Sequence, residues 1–436
     1  MSQTQSETRD WSSLPIEIIT IIHHKLNSTI TDRRRLRSVC TSWRTSLTLS
    51  KPLVYFPLEI PLPPKPLRDS WDSDSDSGSE PTVLRTGDLI QCAFYLISGP
   101  KPNPNPNTWL TRVKETPGHP PNFWFIQNPF SYEMFFQPMP KIKVNISFLE
   151  RNIHEIARSY TLCTGYMYAD KVMKPVKVVV FPKNGEFVED GFFSLSAIFG
   201  NGDLGFWKFG DQEWKIVPMN DCRFADVIVF EDEFYVTDLK GKVKVIDPVT
   251  FEARDIIASN VEFCDGWFTY LVESNGKLYL VNKEVNSTAG FKEAIYPDPE
   301  TKKMVRTKVY CEPLQPLCLA VWVLKGGDRP FWDPTWSLDD RVFFVSEYVT
   351  FSMSAKEVGW KRGDFIFFNH EGFRGHLCYD VECDSCDHTY ESELQLFSIN
   401  CGIFTFPQGS ITTTSSEHLP RPFKIFWPVP KWLISD

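Results

Sequence analysis

From about residue 85 onward the chain is a succession of short apolar runs, rich in β-branched and aromatic residues and separated by turn signals. The runs are LIQCAFYLI (89–97), VKVVVF (176–181), FADVIVF (224–230), KVKVI (242–246), KLYLV (277–281), CLAVWVL (318–324), RVFFVS (341–346) and DFIFF (364–368). Lys183-Asn-Gly, Gly200-Asn-Gly-Asp, Asn275-Gly and His370-Glu-Gly stand between them. This texture predicts an all-β region. With 35 Phe, 14 Tyr and 14 Trp there is ample bulk for pleated surfaces, and 33 Pro favour many short elements. At 436 residues the chain exceeds one core and should form at least two domains.

A weak repeat lies inside the β region. FYVTDLKGKVKVIDP (234–248) and FTYLVESNGKLYLVN (268–282) align as strand, turn at Gly-Lys, strand. Tyr235 precedes Gly241 by the same interval as Tyr270 precedes Gly276. Repeated hairpins in propeller blades give such offsets, and so does an up-and-down barrel or a sandwich.

Residues 10 to 50 carry the sustained helical period. Leu14, Ile18, Ile22 and Leu26 recur at helical spacing, with Pro15 suited to a first turn. Asp32 can cap a second helix, on which Leu36, Val39, Cys40 and Trp43 form one stripe. The basic run Arg33 to Arg37 fits a solvated helix face better than a nuclear import signal. Residues 57 to 84, PLEIPLPPKPLRD then SWDSDSDSGSEP, read as a Pro-rich and acidic tether. The Ser/Asp alternation also suits acidic-directed phosphorylation, and a solvated tether is the better account. PKPNPNPN (100–107) reads as a loop between strands.

The segment WSSLPIEIITIIHHKLNSTITDRRRLRSVCTSWRTSL (11–47) resembles an F-box through Leu14-Pro15-x-Glu17, Leu26 and Val39-Cys40-x-x-Trp43-Arg44. Its Ile30-Thr31-Asp32 loop is more polar than in many F-boxes. Some forty residues of helix bury too little for a core of their own, so the missing core should lie on a partner. The resemblance implies that this partner is the Skp-type adaptor of an SCF ubiquitin ligase, and through it cullin. It would be bound by Leu14, Pro15, Ile18, Ile22, Leu26, Leu36, Val39, Cys40 and Trp43.

The remainder resembles plant F-box proteins with a KIB-type β-propeller domain. Phe125-Ile-Gln-Asn-Pro-Phe-Ser, Gln137-Pro-Met-Pro, Gly205-Phe-Trp-Lys-Phe-Gly-Asp-Gln-Glu-Trp214, Phe224-Ala-Asp-Val-Ile and Phe234-Tyr-Val-Thr-Asp carry the likeness. Asp340-Arg-Val-Phe-Phe-Val, Phe351-Ser-Met-Ser-Ala and Phe426-Trp-Pro-Val-Pro-Lys-Trp-Leu433 follow in order. The expected organisation is α+β and multidomain. All-α F-box helices (10–50) and a Pro/acidic linker (51–84) lead to an all-β, propeller-like substrate-binding domain (85–436), closed by the apolar 426–433 segment.

A net charge of −9, with the densest basic run confined to one helical segment, argues against nucleic acid as a direct ligand. The polar N-terminus lacks a signal-peptide core and no apolar stretch is long enough to span a bilayer, so nucleus or cytoplasm is expected and no membrane. There the 11 cysteines stay reduced and the Asn27, Asn145 and Asn286 acceptor patterns stay unused. No nucleophile elbow, phosphate loop or zincin motif is present, so no catalytic residue is nominated and no enzyme or cofactor is expected. His376, Cys378, Cys383, Cys386 and His388 lie within 13 residues. Cys378, Cys383, Cys386 and His388 are weak zinc candidates, because a lone CxxC without a second ligand pair more often sits in an ordinary insertion loop. The sequence thus points to a substrate receptor of an SCF ligase whose target protein it does not name. The alternatives are a non-degradative F-box scaffold and a metal-dependent enzyme built on the 376–388 cluster.

Overall fold

The computed structural model describes residues 14–15, 17–19, 36, 39–46, 56–63, 86–98, 108–114, 125–127, 129, 152–163, 175–183, 192–200, 202–217, 223–257, 267–285, 290–297, 304–311, 316–327, 329–346, 348–369, 400–406 and 409–415. The chain divides into two units, Met1–Tyr55 and Phe56–Asp436.

In the first unit, the Pro15 carbonyl accepts the amides of Ile18 (3.1 Å) and Ile19 (3.2 Å), turning Glu17 to Ile19 into helix. Helix α1 (Thr41–Ser46) follows. Cys40 caps it: its Sγ accepts the Trp43 amide at 3.4 Å, in the place where a Ser hydroxyl usually sits. The expected cap Asp32 lies outside the described residues.

Among the described residues, the second unit is a ring of five β blades. The first holds β1 (Leu58–Pro61), β2 (Thr86–Ser98), β3 (Thr108–Lys114), β4 (Phe125–Gln127) and β5 (Asn152–Cys163), in the order β4-β3-β2-β5. One edge of β2 is shared, with β1 against residues 86–89 and β3 against 92–98. The second blade is β6 (Pro175–Phe181), β7 (Ser194–Phe199), β8 (Leu204–Lys208) and β9 (Lys215–Val217). A single pair, Tyr160↔Val178, joins β5 to β6, so these two blades run on as one sheet. The third is the meander β10 (Phe224–Phe230), β11 (Glu233–Asp238), β12 (Val243–Ile246) and β13 (Ala253–Ile257).

The fourth blade comprises β14 (Trp267–Ser274), β15 (Lys277–Val285), β18 (Pro316–Lys325) and β19 (Phe331–Pro334). A separate hairpin, β16 (Gly290–Pro297) with β17 (Met304–Cys311), leaves it between β15 and β18. The fifth contains β20 (Arg341–Val345), β21 (Thr350–Ser354), β22 (Phe365–Asn369), β23 (Asn400–Thr405) and β24 (Ser410–Ser415). Its order is β21-β20-β22-β23-β24, with β20 and β22 parallel.

What makes this a ring is the core. Each blade is apolar on both faces, and each face packs on the next blade. Leu89 and Leu162 of the first blade meet Val180, Leu195 and Trp207 of the second. Phe206 then meets Val227 and Phe234 of the third, and Ile228 and Val245 meet Leu271 and Trp322 of the fourth. Tyr279 and Val321 meet Phe343 and Phe368 of the fifth. The fifth returns to the first, where Phe344, Phe351 and Phe367 pack with Phe94, Leu96 and Leu110. Among the described residues that seam closes by side-chain packing, without a shared strand. The 426–433 segment expected to close the ring lies outside them.

Two expectations are corrected. The stretch beginning at residue 57 is not tether throughout. Leu58–Pro61 is a strand, Ile60 is buried, and Phe56, Leu58 and Leu62 pack on the first interface. Its alternation of apolar residues with Pro outweighs the Pro content, since Pro is tolerated at a sheet edge. The repeated hairpins are real but out of phase. The first is β11–β12, the second and third strands of their blade, and the second is β14–β15, the first and second.

One glycine shows how closely the sheet is packed. A Cβ on Gly402 would lie 1.9 Å from Cζ of Phe368, its cross-strand neighbour. Gly402→Ala should cost about 1–3 kcal/mol through overpacking. Thermal unfolding of the full chain checks it, and an unchanged melting temperature would show that the Phe368 ring has room to move.

Candidate functional site

Two regions bear on function. In the N-terminal unit, the sequence-nominated residues divide by exposure. Pro15 is exposed, Ile18 is 41% exposed and Val39 54%, both large for apolar side chains in water. Leu14, Leu36 and Cys40 are half-buried, and Trp43 is only 5% exposed, so its ring is enclosed by the chain itself. Ile22 and Leu26 lie outside the described residues. The unit therefore leaves apolar side chains from both nominated stripes exposed, while Trp43 is buried.

In the β unit, the innermost strands β5, β6, β10, β14 and β21 neighbour one another around a common axis. All five line one cavity of about 90 Å³, with Arg158, Lys177, Ile228, Glu273 and Thr350 on its wall. Small-molecule sites run to about 300–1,000 Å³, so this cavity, among the described residues, has room for a few waters and not for a metabolite.

The axis is fastened by charge. Lys177 on β6 donates to Oδ1 of Asp226 on β10, and both side chains are buried. The same carboxylate accepts the Val227 amide (2.8 Å) through Oδ1 and the Leu271 amide of β14 (2.7 Å) through Oδ2. One side chain thus spans three successive inner strands. Burial, the largest influence, holds the Asp226 carboxyl above the usual carboxylate range, against the charge of Lys177 and these hydrogen bonds. Asp226 sits just after a register shift that separates it from Phe224, the kind of irregularity that re-aims a side chain. On the next strand pair, the Thr350 hydroxyl donates to the Leu271 carbonyl at 2.5 Å. Sequence reasoning passed over Lys177 and Asp226, although each is a lone charge inside an apolar strand run.

The weak metal candidates Cys378, Cys383, Cys386 and His388, with His376, lie outside the described residues. Among the described residues no group of three or more His, Cys, Asp or Glu is placed to hold a metal, and no helix is long and apolar enough to cross a membrane.

Among the described residues, five blades around an axis, each packed face to face on the next and the last on the first, make the second unit a β-propeller. The chain belongs to the KIB1-4 beta-propeller family, whose family model matches residues 98–398. Its relatives are F-box proteins. It is 25% identical to F-box protein SKIP23 of Arabidopsis thaliana over 444 residues, covering 98% of this chain and 96% of that protein. It is 24% identical to F-box protein At2g17036 of the same plant over 449 residues, covering 98% and 95%.

Proposed function

We propose that the chain is the substrate-recognition subunit of an SCF-type ubiquitin ligase. The N-terminal unit would bind a Skp-type adaptor and through it cullin, and the propeller would hold the protein to be modified. The observation that carries this reading is likeness to F-box proteins over nearly the whole length, with apolar Ile18 and Val39 of the F-box-like segment left in solvent. A small cavity along the axis suits a scaffold that displays loops to a protein rather than one that encloses a metabolite. Chemistry on ubiquitin would fall to other subunits, and the place of action would be nucleus or cytoplasm.

Leu14→Ala with Pro15→Ala should weaken adaptor capture about thirtyfold or more, since truncating an interface anchor typically costs about 2–5 kcal/mol. Co-purification of the full chain with the adaptor measures this, and wild-type recovery of the adaptor would overturn the F-box assignment. Repeating the purification under proteasome inhibition separates degradation from scaffolding. Captured partners should accumulate in the first case and stay level in the second.

A further inference from the structure

The Trp–Gly-Asp–Trp turn singled out in the sequence serves neither the axis nor the F-box-like segment. After β8 the chain reverses through Phe209 to Glu213 into β9. Gly210 has φ 96°, a conformation that L side chains rarely adopt, and this sets where Asp211 follows. The Asp211 amide donates to the Lys208 carbonyl (2.9 Å) and the Trp207 indole donates to the Asp211 carbonyl (2.9 Å), which fixes the turn. The Trp214 indole donates to the Pro61 carbonyl (2.6 Å), hooking this turn of the second blade onto β1 of the first.

An open groove of about 300 Å³ lies between the turn and β1, large enough for an extended segment's side chain. Buried Trp207 and Ile60 are part of its wall, and Phe209, 47% exposed, presents a ring to solvent beside Trp207. Two acidic residues, Glu59 and Asp211, are among those that line it, and the Glu59 carboxylate is steadied by the Thr86 hydroxyl at 2.6 Å. No Lys or Arg is among its lining residues. Among the described residues no cation pairs with either carboxylate.

We propose that this groove docks an extended segment of a partner protein through an arginine side chain. A guanidinium is the group that both stacks flat on an exposed aromatic ring and forks onto carboxylates, whereas an ammonium is a hydrated point charge. A second copy of this chain is the poorer occupant, because a net charge of −9 repels itself. The inference deepens the reading of the propeller as the target-binding half by naming the chemistry of the target.

The test uses the full chain and two fluorescein-labelled hexapeptides, Gly-Ser-Arg-Ser-Gly-Ser and the same peptide with citrulline for arginine. Fluorescence anisotropy should show saturable binding of the first and at least about tenfold weaker binding of the neutral isostere. Glu59→Gln with Asp211→Asn should bring the arginine peptide down to the citrulline level with an unchanged melting transition, as Glu59 is exposed and Asp211 half-buried. Absence of saturable binding, equal affinity for both peptides, or indifference to the double variant would each overturn the assignment. A concentration-dependent dimer in light scattering that Phe209→Ser abolishes would instead give the groove to a second copy. Adaptor capture by the same double variant keeps the two ideas apart. Retained capture without peptide discrimination sinks the groove alone, whereas lost adaptor binding by the unmodified chain sinks the ligase reading.

Discussion

Asp226→Ala is expected to lower the unfolding free energy by about 3–5 kcal/mol. The loss has little to do with the net worth of the Lys177–Asp226 attraction, since a buried pair recovers in Coulomb energy roughly what it lost in hydration. It arises because the variant leaves the Lys177 ammonium buried without its counter-charge and strips the Leu271 amide of its acceptor. Lys177→Met combined with Asp226→Ala should therefore be more stable than Asp226→Ala alone, although it removes more polar contacts. Chemical denaturation of the unmodified chain, Asp226→Ala, Lys177→Met and the double variant measures this. If the double variant is the less stable by the sum of the two single losses, the pair is not coupled and this account of the axis fails.

The pH dependence has a definite sign. The folded-state carboxyl of Asp226 is raised above its unfolded value, so the folded chain holds that proton more tightly. Its contribution to stability is whole below the ordinary carboxylate pKa of ~3.9 and is lost as pH rises through the folded value. Asp226→Asn, an imitation of the protonated carboxyl, should lack that decline. Melting curves across the acid range compare the two, and superimposable pH profiles would contradict the shift.

Phe344→Ala should cost about 3–5 kcal/mol and should open the ring where its last blade meets its first. Phe344 is fully buried, stacked at 4.8 Å on Phe351 and 5.5 Å on Phe367, and Phe351 in turn lies 5.4 Å from Phe94 of the first blade. Removing the middle ring leaves a cavity lined by rigid aromatics that cannot collapse into it, which places the cost at the upper end of the range. Val249→Ala, at a residue 50% exposed, is the control and should change stability by no more than about 0.5 kcal/mol. A Phe344→Ala protein as stable as the control variant would mean that the seam is held elsewhere.

Much of the architecture was legible because each strand carries its own signal. FADVIVF is β10 residue for residue, and the other quoted runs lie within strands or within a residue of one. Asn275-Gly276 was readable as a hairpin turn and has the positive φ values that such a turn demands, 53° and 71°. The equivalent turn of the third blade, Glu231-Asp232, adopts φ 47° and 60° without Asn or Gly, so no composition rule finds it. With no signal at that turn, the sequence repeat pairs β11 with β14, one strand out of phase. The strand at 58–61 was hidden by its prolines. The number of blades was not legible at all. It follows from which faces pack together, and alternation within one strand says that a face is buried but never against what.

The functional regions were legible to different degrees. The N-terminal stripes could be named from periodicity, because a helix's exposed and buried faces are written in its own spacing. That Trp43 lies inside while Ile18 and Val39 lie outside depends on packing between segments, which spacing does not encode. Asp226 and the groove at Glu59 and Asp211 depend on residues up to 152 positions apart in the chain, and no local pattern joins them.

The order of strands within the blades also bears on how the ring is made. The third blade is a run of consecutive hairpins, so its pairing needs only short loops to close and can form as soon as its residues are available. The first blade cannot do this, because its inner strand β5 is the last of its five and returns to β2 across β3 and β4. The final contact, between Phe94 and the side chains around Ile403, brings together residues from opposite ends of the ring and carries the greatest loop-closure cost. Folding should accordingly begin in the middle of the propeller and end at its seam. A chain emerging from the ribosome would hold its first blade's apolar face open until the fifth has been synthesised, and that interval is when a chaperone has most to cover.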